Sequence, residues 1–322
     1  MKILLCDYHV TDSHEGEREI LKKYIPKAVF EVFSYTNEEE LTNRMQDVDV
    51  LMTCFLKIDR TLIEHAPKLK MISIDATGYG NVDIQAAKEK GIVVATLGDY
   101  CTDEVADHAM ALILALEKNL KLYDRLAEEE KRYDFKAAPA RKSLAGQTLA
   151  IVGYGRIGRA VAKRATAFGF RVLAVTRHEE QIGKTEDGVR FVSLKEALLA
   201  ADVISNHMNQ TPENEDYFCY DVFRQMEKKP LFVNVGRGAC VQEEDLVRAL
   251  EEGLIGGAGL DVLKDTKPAL EKTGLLHRTN VILTPHSAFY SEEVMDYLAK
   301  VPTMNVVNFV KNEPGRITNI VT

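Results

Sequence analysis

Thr148-Leu149-Ala150-Ile151-Val152-Gly153-Tyr154-Gly155-Arg156-Ile157-Gly158 is the stretch on which the fold turns. Residues 149–152 form an apolar run of strand length, G-x-G-x-x-G follows at once, and helix-forming residues continue to Phe168. Each glycine answers a physical need: Gly153 makes the tight turn, Gly155 lets the backbone approach a pyrophosphate, and Gly158 lets helix and strand pack closely. The phosphates then lie on the exposed N–H groups of the helix start. An isolated G-x-G-x-x-G is weak and could be a mere turn; between a strand and a helix it points to a dinucleotide. Arg156 and Ile157 complete the turn and join the glycines as candidate cofactor contacts.

The next strand, 172–175, ends at Thr176-Arg177-His178. An NAD site places an acid here to accept from the adenosine ribose hydroxyls, and an acid would repel a 2′-phosphate. Thr176 cannot repel it, and Arg177 can clamp it through charge-assisted bonds. The alternative is that Arg177 is a solvated loop residue. The missing acid beside a gained base favours NADP(H), with NAD(H) as the second choice.

On either side, strand and helix alternate. Upstream lie apolar runs at 3–6, Val29–Phe33, 50–52, Met71–Ile74 and 92–95, with helical patterns at Glu15–Tyr24 and 37–45. Short apolar runs of this kind belong to a parallel sheet covered on both faces, an α/β layer structure. A long helix is expected from Thr102, read as its N-cap, with Asp103 and Glu104 in the first turn. Its middle, 109–116, is apolar nearly all round and so buried. Polar residues 128–133 and 137–141 connect it to a second βαβ series from Thr148 to about Pro285, and 291–310 is helical again, packing back on the first series.

At 322 residues the chain fits two ordinary domains. A net charge of −8 argues against nucleic-acid or anionic-membrane partners. The amino-terminal apolar stretch is a strand rather than a signal peptide, and no uncharged run is long enough to span a bilayer. Five scattered cysteines without a C-x-x-C pair suggest reduced thiols in the cytoplasm, and no cluster has metal-ligand spacing, so no structural metal is expected.

Further motifs are those of a family. Ala76-Thr77-Gly78-Tyr79-Gly80-Asn81-Val82-Asp83, the glycine turn, Asn234-Val235-Gly236-Arg237-Gly238, Ala258-Gly259-Leu260-Asp261-Val262 and Leu283-Thr284-Pro285-His286-Ser287-Ala288 occur in the family's order over most of the chain. The chain resembles the D-isomer-specific 2-hydroxyacid dehydrogenases, in particular their glycerate-dehydrogenase (hydroxypyruvate-reductase) and C-terminal-binding-protein-like branches. The resemblance implies two Rossmann-like doubly wound parallel-sheet domains. A dinucleotide-binding domain, 101–289, is inserted into a flavodoxin-like substrate domain, 1–100 plus 290–322, with the active site in the cleft and a homodimer formed through the cofactor domains. It implies reduction of a small 2-oxo acid to the D-2-hydroxy acid by hydride transfer from the nicotinamide.

Residue by residue, Arg237 matches the arginine that holds the substrate carboxylate and carbonyl. His286 matches the acid/base that protonates the carbonyl oxygen. Thr77 and Gly78 match the backbone N–H pair that takes the carboxylate. Asp261 matches a residue near the nicotinamide end, and Val235 belongs with it among the cofactor contacts. Taken alone, a histidine after a proline is more often structural; Arg237, after its own strand and glycine turn, shifts the reading to catalysis.

One departure matters chemically. The family's third catalytic residue is a Glu five positions after the Asp of A-G-L-D-V, and here that position is Thr266. A carboxylate beside His286 would raise its pKa and orient the ring, whereas Thr266 can only orient it. Asp265 serves instead, or His286 works unassisted, or the protein is a dinucleotide-sensing binding protein with little turnover, as co-repressor relatives are. A smaller departure is Asn209, where the family has a proline in a cofactor-side loop. Phe55, Tyr79 and Tyr290 are candidates for shaping substrate preference, with a place in the core as their favoured role.

Overall fold

The computed structural model describes residues 1–7, 13–34, 37–138, 140–265 and 268–322. They divide into two compact units, Met1–Tyr100 with Ser291–Thr322, and Cys101–Tyr290.

The first unit holds a five-stranded parallel sheet: β1 (Lys2–Cys6), β2 (Val29–Phe33), β3 (Val50–Thr53), β4 (Met71–Ile74) and β5 (Val93–Ala95), in the order β2-β1-β3-β4-β5. This is the flavodoxin-like order. Side chains alternate along a strand, so each apolar run feeds two cores. Leu4, Cys6, Leu51, Ile72 and Ile74 enter one cluster, and Ile3, Leu5, Val50, Met52 and Met71 the other. The second face is closed by Val306 and Val307 of the Glu292–Val310 helix. Pro302 lies inside that helix, and its carbonyl accepts a bond from the buried Ser73 hydroxyl at 3.1 Å. Beyond the helix the tail lies along β5: the Val321 N–H donates to the Val94 carbonyl, and the Val94 N–H to Thr322 Oγ1. An otherwise open sheet edge is thereby paired.

The second unit holds an eight-stranded sheet: β6 (Thr148–Val152), β7 (Arg171–Val175), β8 (Thr185–Glu186), β9 (Val189–Val192), β10 (Val203–Asn206), β11 (Leu231–Asn234), β12 (Gly257–Leu260) and β13 (Val281–Leu283). The order is β13-β12-β11-β10-β6-β7-β9-β8, parallel except for β8 against β9. Chain order reverses on the two sides of β6, the switch point where such sheets bind ligands beyond their carboxyl ends. Leu149, Ile151, Val172 and Val233 pack under the Thr102–Glu117 and Arg156–Ala167 helices. Ala150, Val152, Ile204 and Phe232 face the opposite core, where Phe218, Phe223 and Phe232 meet at 4.8 to 6.4 Å between ring centroids.

Several expectations need correction. The N-cap of the long helix is Cys101, with Thr102 already its first turn. The helical stretch before 128 is two helices and not one: Asn119 at φ 52° breaks it, and a second helix, Leu120–Glu128, begins at once. Phe55, Tyr79 and Tyr290 are not core; they are 53, 41 and 69% exposed.

Candidate active site

In the second unit the candidate residues follow the carboxyl ends of the strands. Gly153 follows β6, Thr176 and Arg177 follow β7, Arg237 follows β11, Asp261 follows β12 and His286 follows β13.

At the glycine turn, Gly153 has φ 96°, and a Cβ there would lie 2.7 Å from the His207 carbonyl carbon and the Met208 nitrogen. A Cβ at Gly158 would lie 2.4 Å from the Gly153 carbonyl oxygen. Both glycines are therefore set by close backbone packing. Gly155 differs: it is the N-cap of Arg156–Ala167, and nothing lies within 4 Å of where its Cβ would be. Open space over the first N–H groups of a three-turn helix fits the pyrophosphate of a dinucleotide. Arg156 beside it is exposed, while Ile157 packs on the core.

At the end of β7 the Thr176 hydroxyl donates to Gln181 Oε1 at 2.8 Å and accepts the His178 N–H at 3.1 Å. Arg177 is exposed, and among the described residues no carboxylate comes within ion-pair distance of it. Its charge is still felt nearby: it helps hold the Glu213 carboxyl low, behind the hydrogen bond from Thr211, and opposes the rise that burial imposes on the Tyr217 phenol.

Between the glycine turn and Arg237 lies a polar connection that sequence reasoning missed. Asn206 and Asn234 end adjacent strands in register, both are buried, and Asn206 Nδ2 donates to Asn234 Oδ1 at 3.0 Å. Asn206 Oδ1 accepts the Met208 N–H, Asn234 Oδ1 accepts the Gly236 N–H, and Asn234 Nδ2 donates to the Arg237 carbonyl. One amide pair thus fixes the loop behind Gly153 and the turn that carries Arg237. The signal in the sequence was an Asn closing each apolar strand, VISN and LFVN. His207 stands beside it, its Nε2 2.9 Å from Ser205 Oγ and its Nδ1 buried without a partner. Burial pushes this imidazole down to about 4.

Val235 is buried, and Arg237 is half-buried with Nη1 donating to the Gly236 carbonyl. Asp261 is almost wholly buried, and its carboxylate is occupied by the next turn. Oδ1 accepts the Thr284 hydroxyl at 2.6 Å and the Ser287 N–H at 2.9 Å, and Oδ2 accepts the Ala288 N–H at 3.0 Å. The Asp261 carbonyl accepts the His286 N–H at 2.8 Å. His286, at φ 53°, is held from both sides in this turn, its ring edge-on to Phe289. Burial pushes the His286 imidazole below its ordinary range, the Arg237 guanidinium pushes it further, and the Asp261 carboxylate pulls the other way.

Thr77 and Gly78 lie in the first unit, just beyond β4, both half-buried, with the Thr77 hydroxyl bonded to the Gly98 carbonyl. Thr266 lies outside the described residues, and Asp265 is exposed. Among the described residues no group of His, Cys, Asp and Glu could hold a metal ion, and no helix is long and apolar enough to cross a membrane.

Comparison with known proteins agrees with this geometry. Residues 110–288 match the family model described as D-isomer specific 2-hydroxyacid dehydrogenase, NAD binding domain. The chain is 35% identical to a glyoxylate reductase of Thermococcus litoralis over 87% of this chain and 86% of that one. It is 32% identical to a hydroxypyruvate reductase of Blautia hydrogenotrophica over 99% and 100%. Among solved structures, a D-lactate dehydrogenase of Aquifex aeolicus, complexed with NAD and lactic acid, superposes with a TM-score of 0.86 at 28% identity, covering 99% of this chain and 98% of that one. The chain belongs to the D-isomer specific 2-hydroxyacid dehydrogenase family and is an NAD(P)-dependent oxidoreductase.

Proposed function

We propose that this enzyme reduces a small 2-oxo acid to the D-2-hydroxy acid, with NADPH preferred over NADH. The observation that carries the reading is the approach of Arg237 and His286 beyond the ends of β11 and β13, close enough for the guanidinium charge to act on the imidazole. A cation to hold an anionic substrate beside an acid/base group is what reduction of a 2-oxo acid requires. The names of the Thermococcus and Blautia relatives, reductases of glyoxylate and of hydroxypyruvate, point to the same substrate class.

A nicotinamide cofactor, when bound, would supply the hydride. Arg237 offers a planar fork to the substrate carboxylate and carbonyl, and so fixes which face of the carbonyl carbon is presented. His286, protonated, gives its proton to the carbonyl oxygen and takes it back in the reverse direction. Thr77 and Gly78 are assigned the carboxylate through their backbone N–H groups, by their match to the family motif, which makes the first unit the substrate domain. Gly153, Gly155, Arg156, Ile157, Gly158 and Val235 hold the dinucleotide. For the 2′-phosphate, Arg177 offers an exposed cation without an ion-pair partner among the described residues, and Thr176 adds no repelling charge. The exposed apolar side chains of Leu120, Tyr133 and Phe135 support a homodimer, and the scattered cysteines, without a C-x-x-C pair, a cytoplasmic setting.

The test is oxidation of NADPH and NADH across a panel of 2-oxo acids, for the natural enzyme and Arg177→Ala. Turnover with NADPH is expected, with Arg177→Ala raising the NADPH KM about tenfold and leaving that for NADH within about twofold. A preference for NADH would overturn the cofactor assignment. Binding of both cofactors without any turnover would make the chain a dinucleotide-sensing protein.

A further inference from the structure

The turn that carries His286 is tied to a second histidine. His108 lies on the Thr102–Glu117 helix, one and two turns before Leu112 and Leu116, which pack directly over Gly259 of β12. Residues four apart share a helix face. The helix is thus seated on the strand that ends at Asp261, with His108 turned toward the strand's carboxyl end. His108 Nε2 is 2.9 Å from Thr284 Oγ1 and 3.5 Å from Asp261 Oδ1, and its side chain is 22% exposed.

The proton inventory fixes the direction of these contacts. A carboxylate only accepts, so at 2.6 Å the single Thr284 hydroxyl hydrogen goes to Asp261 Oδ1. The Thr284 oxygen is left as an acceptor, and His108 must meet it with an Nε2–H. The chain of donors then runs His108 to Thr284 to Asp261, and Asp261 in turn holds the N–H groups of Ser287 and Ala288 on the far side of His286. Without His108 the hydroxyl loses its fixed donor, and Asp261 loses the group that holds Thr284 in one orientation.

We propose that His108 is a positioning residue for the reaction: acting through Thr284 and Asp261, it holds the turn that aims His286. The proposal rests on the assignment of His286 as the acid/base group. It differs from a general structural role because the relay ends on the two amides that follow His286, so its loss acts on turnover and leaves the pyrophosphate and adenosine end of the dinucleotide site, on β6 and β7, as it was.

The experiment compares His108→Leu, His108→Gln and Thr284→Val with the natural full-length enzyme. His108→Leu removes the donor. His108→Gln keeps an amide N–H near the position of Nε2, and Thr284→Val removes the relay hydroxyl at almost the same volume. A misaimed acid is expected to lower kcat about tenfold or more, with the NADPH KM within about twofold, and His108→Gln is expected to recover most of the loss. Combining His108→Leu with Thr284→Val should cost little more than either alone, since both break one chain. Hydrogen–deuterium exchange of the peptide spanning 284–290 should quicken in His108→Leu and Thr284→Val but not in His108→Gln. If His108→Leu does not fold, Thr284→Val carries the same comparison.

Unchanged kcat and unchanged exchange would overturn the proposal. So would a Gln variant as poor as the Leu variant, or additive losses in the double variant. Absence of turnover in the natural enzyme would instead count against the proposed function, and the exchange experiment would still decide the role of His108.

Discussion

With His286 as the proposed acid/base group, its protonation sets the pH dependence of each direction of turnover, and the structure gives the sense of the shift. Reduction needs the imidazolium, so its rate follows the protonated fraction. An imidazole of ordinary pKa, 6.5, is about nine-tenths protonated at pH 5.5 and about one-tenth at pH 7.5, a tenfold fall. His286 lies below that range, because burial and then the Arg237 guanidinium disfavour its cation by more than Asp261 restores. The fall in kcat/KM for reduction between pH 5.5 and 7.5 must therefore exceed about tenfold, with a ceiling of about a hundredfold for a single proton. Because kcat/KM reports the free enzyme and kcat the substrate complex, the two profiles should differ. A substrate carboxylate beside Arg237 offsets the guanidinium charge, so the descending limb in kcat should lie at higher pH than that in kcat/KM. Oxidation of the hydroxy acid, which needs the neutral ring, should rise with pH over the same range. The assay is steady-state turnover from pH 5 to 9 in both directions, with His286→Asn as control. A limb in kcat/KM at or above 6.5, or identical limbs in kcat and kcat/KM, would refute the argument.

Three other perturbations test the scaffold. His207 is held neutral by burial, with its pKa at about 4 against 6.5 when exposed, so between those values the unfolded chain binds a proton that the folded chain refuses. Stability must fall as pH falls through that window, by about 2 kcal/mol at pH 5 relative to neutral pH, and urea unfolding should show a smaller fall in His207→Asn. Asn206→Leu leaves the Met208 N–H and Asn234 Oδ1 without their buried partner, at a cost of about 1–3 kcal/mol, measurable as a lower Tm together with a lower kcat/KM. Gly158→Ala would bring a methyl against the Gly153 carbonyl, and fluorescence titration should show NADPH binding weakened at least about tenfold; binding within about twofold of the natural enzyme would show that the turn can yield.

What the sequence disclosed and what it hid have separable causes. The strands and the glycine turn were legible because apolar periodicity and glycine placement follow from local geometry and burial. The cap of the long helix shifted by one residue, to Cys101, because no side chain caps it and local preference had nothing to act on. Phe55 was misplaced because an apolar side chain says nothing about how its backbone is held. Asp7 Oδ2 gathers the N–H groups of Cys54, Phe55 and Leu56, and this loop is fixed by a carboxylate from a different strand end, leaving the ring outside. In the site, Arg237 and His286 could be picked out by motif. The Asn206–Asn234 pair and the His108–Thr284–Asp261 relay could not, because each joins residues remote in sequence. Asp261 had been read only as a cofactor neighbour, whereas its buried carboxylate organises the chain's own turn.

The seam at β5 orders the events of synthesis. The second unit is one continuous run, Cys101–Tyr290, whereas the first needs residues from both sides of that run. The bond from Ser73 to Pro302 spans 229 positions, and that from Val94 to Thr322 spans 228. On the ribosome, residues 1–100 emerge first yet must wait, with one face of their sheet uncovered, until the Glu292–Val310 helix has been made. The second unit can close during that interval, and the dinucleotide, if it binds then, stabilises a partly made protein. The chain thus builds its nicotinamide-holding half from its middle while its oldest residues are still unfinished.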